Sequence, residues 1–582
     1  MKAAKIRQHL NSRSPWLKSG FNKWRAAFFI FAVVYAFFLT LDLTGMSMQW
    51  DEVTHLNGGV LLLRGDFQTY FSFNAFYPPM YDVVTMGFFG VGGVSVFAGR
   101  FVSVVFSLLS LYAVFEFVYR MYGPKTALLS SVLLGVMPGY VWLSRMAMIE
   151  TMLVFFFTVS LMLFFNWLRT RQNKMLVLSG FALGLGFLTK YQMLIAGVIM
   201  VLSMLLLSRQ YLKARLKRFP ILIVTVVVMA VPWFLIAYQI YASGMLDQWI
   251  YALQIGNPEK LLYSTGLDRL PQWFTALPAG VQLPLFYFVE MTWPYSNVHP
   301  ISIYLYILGL AGLGLFAWRR KTEDKYLLVW FFATYVFFTL ITNKQWRYMA
   351  PVFPVLAISA ASLITPILDR AGKTVKSAVI IPNWKSVINV NRKRAFKATA
   401  AFFTVFLAAS VFLGVAASTF LSVSDAHYWV AKDQVYVPIE EATGYAAARL
   451  APNESIMVMC AQNLFSQDMV RFFMLAEGKG AHAVVQYPEL PVDTYEPHFN
   501  ITEFVGLCRE RNVKYVFTYE FGGDVPYFNT TESLMTVYEK LYLSGSFAYL
   551  SGDADMEELI KNGLVPAFGA NPRRIMILTF LG

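Results

Sequence analysis

The chain has 582 residues, 57% of them hydrophobic and 14% charged, with a mean hydropathy of +0.51, which excludes a soluble globular protein of ordinary composition. Its net charge of +14 is unevenly split: residues 1–421 hold 37 Lys and Arg against 14 Asp and Glu, whereas 422–582 hold 11 against 20. A basic excess confined to the apolar part needs a membrane to explain it and gives no reason to invoke nucleic acid.

Residues 1–25 are basic and precede an apolar run, 26–43, that reads as an uncleaved anchor rather than a signal peptide. Apolar runs of spanning length predict about eleven transmembrane helices: 26–44, 98–120, 125–143, 151–168, 175–189, 192–208, 219–241, 300–318, 326–342, 349–367 and 398–421. With the N-terminus inside, the inner segments 1–25, 120–125, 169–174, 209–218, 319–325 and 367–397 carry 29 basic residues. The opposite face between 45 and 348 carries eight: Arg64, Arg100, Arg145, Lys190, Lys260, Arg269, Lys344 and Arg347. That asymmetry predicts a multi-pass protein of the cell membrane with a cytoplasmic N-terminus, outer loops at 45–97 and 242–299, and an extracytoplasmic C-terminal domain. The expected domains are therefore 1–421, transmembrane, and 422–582.

The first outer loop opens with adjacent carboxylates, Asp51 and Glu52, in the stretch WDEVTHLNGGVLLLRGDFQTYFSFNAFYPPMYD. Acids at a membrane face are costly unless used, although the pair read alone is equally a solvated helix cap. Residues 78–97, broken by Pro78, Pro79 and a Gly-rich run, read as an interfacial helix rather than a further span. Among the outward cations, Arg145, Lys190, Lys344 and Arg347 sit at span ends or short turns, where a lone basic residue is an interfacial anchor. Several together with Asp51, Glu52 and Glu150 suit an anion site.

Beyond residue 421 the pattern changes to helices and short β-rich runs in alternation: PIEEATGYAAARL, SIMVMCA, QDMVRFFMLAEG, HAVVQY, TEFVGLCRER and KYVFTYE. They predict a small α/β domain with a largely parallel sheet and no nucleotide fingerprint. The only cysteines, Cys460 and Cys508, fall here, and whether they pair is left open. So do three Asn-x-Ser/Thr sequons, at Asn453, Asn500 and Asn529, about as many as chance gives.

Acids and cations at the depth of lipid phosphates suit transfer from a lipid phosphate: a carboxylate takes the acceptor's proton while cations stabilise the departing phosphate. A transporter or lipid flippase is the alternative, but no repeated halves with broken helices are found.

The ordered motifs WDE, LLLRGDF, YPPMYD, GRFVSVVFSLLSLYAVFEFVYRMYG, LSRMAMIETMLVFF and GLGFLTKY, followed more weakly by VPWFLIAYQ and NKQWRYMAPVFPVLAI, resemble integral-membrane glycosyltransferases of the GT-C superfamily. The types they bring to mind are the protein O-mannosyltransferases, the bacterial aminoarabinose transferase of lipid A and the rhizobial galacturonosyltransferases. The resemblance implies a polyprenyl-phosphate sugar donor in a lipid bilayer and a protein, lipid or glycan acceptor. It places the general base on Asp51 with Glu52 beside it, a second acid on Glu150, and donor-phosphate contacts on Arg145, Lys190, Lys344, Arg347 and Tyr348. Tyr77 stands where some relatives have Lys before the paired prolines, so the phosphate must be held by other cations here. The resemblance implies no certain cofactor. His55, His299 and Glu290 fall in outer loops, but no ligand motif supports a divalent metal.

Overall fold

The computed structural model describes residues 22–241, 271–379 and 437–582, with breaks at 46, 75–76, 208, 293–298, 342–343, 460–464, 488–497, 520–533, 548–559, 562–564 and 570–573. The expected span 398–421, most of the loop 242–299, the 421/422 boundary and Cys460 lie outside the described residues.

Two units result, one drawn from residues 1–41, 76–80 and 103–429, the other from 42–75, 81–102 and 430–582. The first is built of apolar helices: α1 (Lys23–Thr40), the distal part of α5 (Val96–Met121), α6 (Pro124–Gly135), α7 (Pro138–Arg145), α8 (Glu150–Thr170), α9 (Asn173–Phe187), α10 (Leu194–Leu207), α11 (Leu212–Leu216), α12 (Pro220–Tyr241), α13 (Gln272–Thr275), α14 (Ala279–Glu290), α15 (Ile303–Arg319), α16 (Thr322–Leu340) and α17 (Phe353–Val379). A 3₁₀ segment, Trp346–Val352, precedes α17. Helical elements thus occupy ten of the eleven expected runs. Among the described residues five helices are long and apolar enough to cross a membrane, or six if α6 and α7, bent by 66° at Val136–Met137, count as one span. Pro138 supplies the bend, because proline cannot donate into the preceding turn and favours a new helix start.

Small residues set the helix contacts. Gly180 and Gly184 of α9 face the Leu222 carbonyl and Met229 of α12, and Gly309 and Gly312 of α15 face Leu356 and Ser359 of α17. Ser359 Oγ donates to Gly309 O at 2.8 Å across that contact. In an apolar medium such close backbone approach supplies the packing that water would otherwise drive.

The second unit holds α2 (Trp50–Arg64), α3 (Phe67–Asn74), α4 (Met80–Gly92), the start of α5, and the C-terminal elements. The first-loop residues group with 430–582, whereas the sequence assigned them to the transmembrane domain. In the C-terminal part α18 (Ile439–Ala447), α19 (Gln467–Ala476), α20 (Ile501–Glu510) and α21 (Leu534–Leu543) accompany a five-stranded sheet. Its order is β2 (Val484–Gln486), β1 (Ser455–Val458), β3 (Val513–Tyr519), β5 (Ile575–Thr579) and β4 (Ala567–Phe568). Strands β2, β1 and β3 are parallel, with Ile456 opposite Val484 and Tyr515, while β5 and β4 close the sheet antiparallel. All six segments expected from sequence are present, and the closing strands are additional. β1 is buried throughout, as a central parallel strand covered on both faces must be. Cys508 lies in the core beside Phe504 and Val516, and burial pushes its thiol up to about 12.

A Cβ at Gly312 would meet Ser359 O at 2.2 Å, whereas at Gly314 nothing lies within 4 Å. Gly312→Ala should therefore lower the thermal midpoint in detergent despite better helix propensity, because overpacking costs about 1–3 kcal/mol. Gly314→Ala, gaining up to about 1 kcal/mol of propensity, should be neutral or stabilising. Equal melting of the two variants would contradict the close contact.

Candidate active site

In the helical unit, Glu150 opens α8, where the exposed N–H groups of a first turn favour a negative charge. The residue is 2% exposed, so its charge requires partners within the protein. Lys190, in the break between α9 and the following 3₁₀ turn, brings Nζ to 2.8 Å from Glu150 Oε1. Arg347, on the 3₁₀ segment, brings Nε to 3.9 Å from the same oxygen, and its Nη1 lies 3.8 Å from Met148 Sδ. Lys190 Nζ also sits 5.0 Å from the centre of the Tyr348 ring, which stacks on Phe338. Four residues expected from sequence, Glu150, Lys190, Arg347 and Tyr348, therefore converge. Both cations keep part of their surface accessible while the carboxylate they share is buried.

Arg145 and Lys344, the other two cations expected at the donor phosphate, are placed differently. Arg145 Nη1 donates to the carbonyls of Phe38, Leu39 and Leu41, at 3.3, 3.1 and 2.8 Å, closing the end of α1. Lys344 Nζ donates to those of Phe338, Thr339 and Ile341, at 3.0, 2.7 and 2.6 Å, closing α16. Helix ends leave carbonyls without partners, and a cation there satisfies both hydrogen bonding and the helix dipole. With its three donors on carbonyls and its side chain fully buried, Lys344 is a helix cap in this structure.

Glu290, at the end of α14, is 6% exposed and its Oε2 has no hydrogen-bond partner among the described residues. Burial raises its carboxyl to about 8, against the opposing pull of the Trp346 N–H and the Lys344 ammonium. Burial likewise lowers Lys344 to about 8.

In the other unit the adjacent acids diverge, since neighbours on a helix point about 100° apart. Asp51 is exposed on the first turn of α2; Glu52 is fully buried. Glu52 Oε1 and Oε2 accept from Arg100 Nε and Nη2 at 2.7 and 2.9 Å, and Oε2 also takes the Gln49 N–H at 3.0 Å. One turn on from Asp51, His55 Nδ1 lies 2.8 Å from Asp82 Oδ1, and Tyr70 donates to Asp82 Oδ2 at 3.1 Å. The Glu52–Arg100 and His55–Asp82–Tyr70 pairings were not foreseen. His299 Nδ1 is bonded to the Thr292 carbonyl. Among the described residues no group of three or more His, Cys, Asp or Glu side chains is arranged to hold a metal ion.

With this geometry in view, residues 77–236 match the family model described as dolichyl-phosphate-mannose-protein mannosyltransferase. The undecaprenyl phosphate-alpha-4-amino-4-deoxy-L-arabinose arabinosyl transferase of Edwardsiella ictaluri is 24% identical over 372 residues, 60% of this chain and 62% of that protein. The apo structure of ArnT from Cupriavidus metallidurans superposes with a TM-score of 0.55 at 14% identity, covering 96% of this chain and 98% of that one. The chain shares the fold of that protein, the GT-C type expected from its sequence. Another match is the Archaeoglobus fulgidus oligosaccharyltransferase AglB in complex with an inhibitory peptide and a dolichol-phosphate, at a TM-score of 0.52 and 12% identity over 86% of this chain and 70% of that one. The chain spans less than two thirds of the length of the curated relatives it matches. Glu150 and Lys190 lie within the matched stretch, while Asp51, Arg347 and Tyr348 lie outside it.

The Glu290 and Lys344 shifts give opposite slopes of stability with pH. Below about pH 8 the native state keeps a proton on Glu290 that the unfolded chain, at 4.5, has lost, so stability falls as pH rises from about 4.5 to 8. Above about pH 8 the native Lys344 has lost a proton that the unfolded chain holds up to 10.5, so stability then rises. Each slope approaches 1.4 kcal/mol per pH unit, roughly. Thermal melting in detergent across pH 5–10 should show a minimum near pH 8, and Glu290→Gln should flatten the falling arm. An unchanged falling arm in Glu290→Gln would assign it to other groups.

Proposed function

We propose that this protein is a glycosyltransferase of the GT-C superfamily and transfers a sugar from a polyprenyl-phosphate-linked donor to a hydroxyl on a protein, lipid or glycan acceptor. The observation that carries this reading is the meeting of Lys190 and Arg347 at Glu150. Two partly accessible cations on one buried carboxylate form a site that holds an anion of matching size without needing a nucleotide. Arg347 offers a planar fork suited to phosphate oxygens, and Lys190 a compact charge beside it. Glu150 keeps the two cations together before the donor arrives, and Tyr348 flanks Lys190. The Edwardsiella relative is named for an undecaprenyl phosphate-linked sugar, and the Cupriavidus ArnT has been seen bound to undecaprenyl phosphate, which favours the same class of donor here.

In the proposed reaction Asp51 accepts the proton of the acceptor hydroxyl as its oxygen attacks the anomeric carbon and the phosphate leaves in line. Lys190 and Arg347 stabilise the charge that develops on the departing phosphate. Glu52, locked to Arg100, holds the first turn of α2 rather than exchanging protons. The exposed position of Asp51 on that turn is what a base needs in order to meet an incoming acceptor.

The test compares two variants in sugar transfer and in binding of undecaprenyl phosphate by purified protein. Asp51→Asn should lose about 10²–10⁴ in turnover with lipid binding nearly intact. Arg347→Ala should weaken lipid binding by about 1.5–3 kcal/mol. Parental turnover in Asp51→Asn would remove the base assignment, and parental lipid binding in Arg347→Ala would remove the phosphate contact.

The same reading sets the orientation: N-terminus in the cytoplasm, C-terminal domain outside, as the distribution of basic residues between loops favours. A reporter that is active only outside the cytoplasm, fused after residue 582, should be active. Its silence, with a cytoplasmic reporter active at the same point, would invert the orientation.

A further inference from the structure

Helix α2 carries Asp51 on its first turn and Arg64 on its last, about 20 Å apart at 1.5 Å per residue. It is fastened at four heights, one of them the His55–Asp82 bond of its second turn. At the first turn Glu52 is held by Arg100, whose Nη1 and Nη2 also reach the carbonyls of Leu43 and Ser47 at 2.8 and 3.2 Å. Ser47 Oγ in turn accepts the Val437 N–H at 3.0 Å. In the middle, Asn57, 5% exposed, donates from Nδ2 to Asp468 O at 2.9 Å. At the end, Arg64 donates to Leu475 O and, at 2.8 Å, to Lys479 O, closing the C-terminus of α19. The Phe89 and Phe472 rings, 6.2 Å apart, add an apolar contact between α4 and α19. Beyond the second turn, where His55 is tied to Asp82 of α4, the fastenings are thus made by residues 468–479, more than 400 positions away in the chain.

We infer that the C-terminal α/β domain is the positioning platform for the Asp51-bearing helix, with Arg64 and Asn57 as positioning residues that act through α2. The inference rests on the reading of Asp51 as the base. A helix fixed only by its first two turns, through Glu52 and His55, would pivot there, and Asp51, next to that pivot, would change direction with it. Fastening the far end to α19 holds the axis, and hence the azimuth of Asp51. The same bonds give a change within the C-terminal domain, such as occupation of its exposed surface by an acceptor, a mechanical route to the base.

The test uses the purified full chain and reads two things, amide hydrogen exchange along residues 50–64 and steady-state transfer. Arg64→Ala should raise exchange in α2 about tenfold while leaving β1 and β3 protected. It should lower kcat about tenfold while binding of undecaprenyl phosphate stays within twofold. Arg64→Lys, which restores one donor, should recover much of both losses. Should Arg64→Ala not be recovered folded, Asn57→Ala, which removes a single bond, takes its place. The double variant Asp51→Asn, Arg64→Ala should turn over no more slowly than Asp51→Asn alone, because the clasp acts through that carboxylate. Unchanged exchange in α2, or raised exchange with parental kcat, overturns the platform. If Asp51→Asn alone keeps parental turnover, the base reading fails instead, and a rise in α2 exchange would then support a clasp that does not serve catalysis.

Discussion

Arg100 has no access to water, and its guanidinium reaches both oxygens of Glu52 and the carbonyls of Leu43 and Ser47. A buried charge is tolerated only when its donors are matched this fully, since a single unmatched polar atom in such a place costs about 1–3 kcal/mol and a lone ion considerably more. The consequence is geometric. The planar fork fixes the first turn of α2 relative to α5 and to the extended stretch before it, so the direction in which Asp51 leaves the helix follows from where Arg100 stands. Gly99 supports this arrangement, because a Cβ there would lie 2.1 Å from Leu56 Cδ2. An added methyl would displace the Leu56 side chain of α2, one residue from the arginine that ties the two helices.

The basic residues of the outer helix ends divide by what they satisfy. Arg145 and Lys344 close the carbonyl ends of α1 and α16, which an apolar surrounding would otherwise leave without partners. Lys190 and Arg347 instead meet a carboxylate and keep part of their surface open. Both kinds look the same in a sequence, a lone cation near the end of an apolar run. What separates them is the group they face, a helix-end carbonyl or a buried carboxylate, and that is a property of the packing of helices distant in the chain.

This limits what the sequence disclosed. Apolar runs located ten helical elements, and the alternation of β-rich and amphipathic segments located three parallel strands with their helices. Those signals are local, and periodicity reports them. The loop after the first helix appeared to belong with the apolar part because it is bracketed by it, yet its residues group with 430–582. Bonds such as Asn57 to Asp468 join positions 411 apart and leave no trace in spacing. Of the candidate site, Glu150, Lys190, Arg347 and Tyr348 were legible through ordered motifs. The partners of Glu52 were not, because an Asp-Glu dipeptide at a helix start has the same appearance whether it caps, pairs or reacts.

The dipeptide itself explains why both acids occur together. Residues i and i+1 on a helix cannot share a face, so one of two adjacent carboxylates at a helix start must turn inward whenever the helix packs on one side. The inward one must find a cation or become protonated, and Arg100 meets that need for Glu52. The outward one is then left on a turn whose rotation is fixed by its neighbour's ion pair, and it keeps its own water-facing surface. A single acid in this position would be free to rotate with a fraying helix end. Two adjacent acids, one buried as an anchor and one exposed, give a carboxylate whose direction is set by a bond it does not itself make.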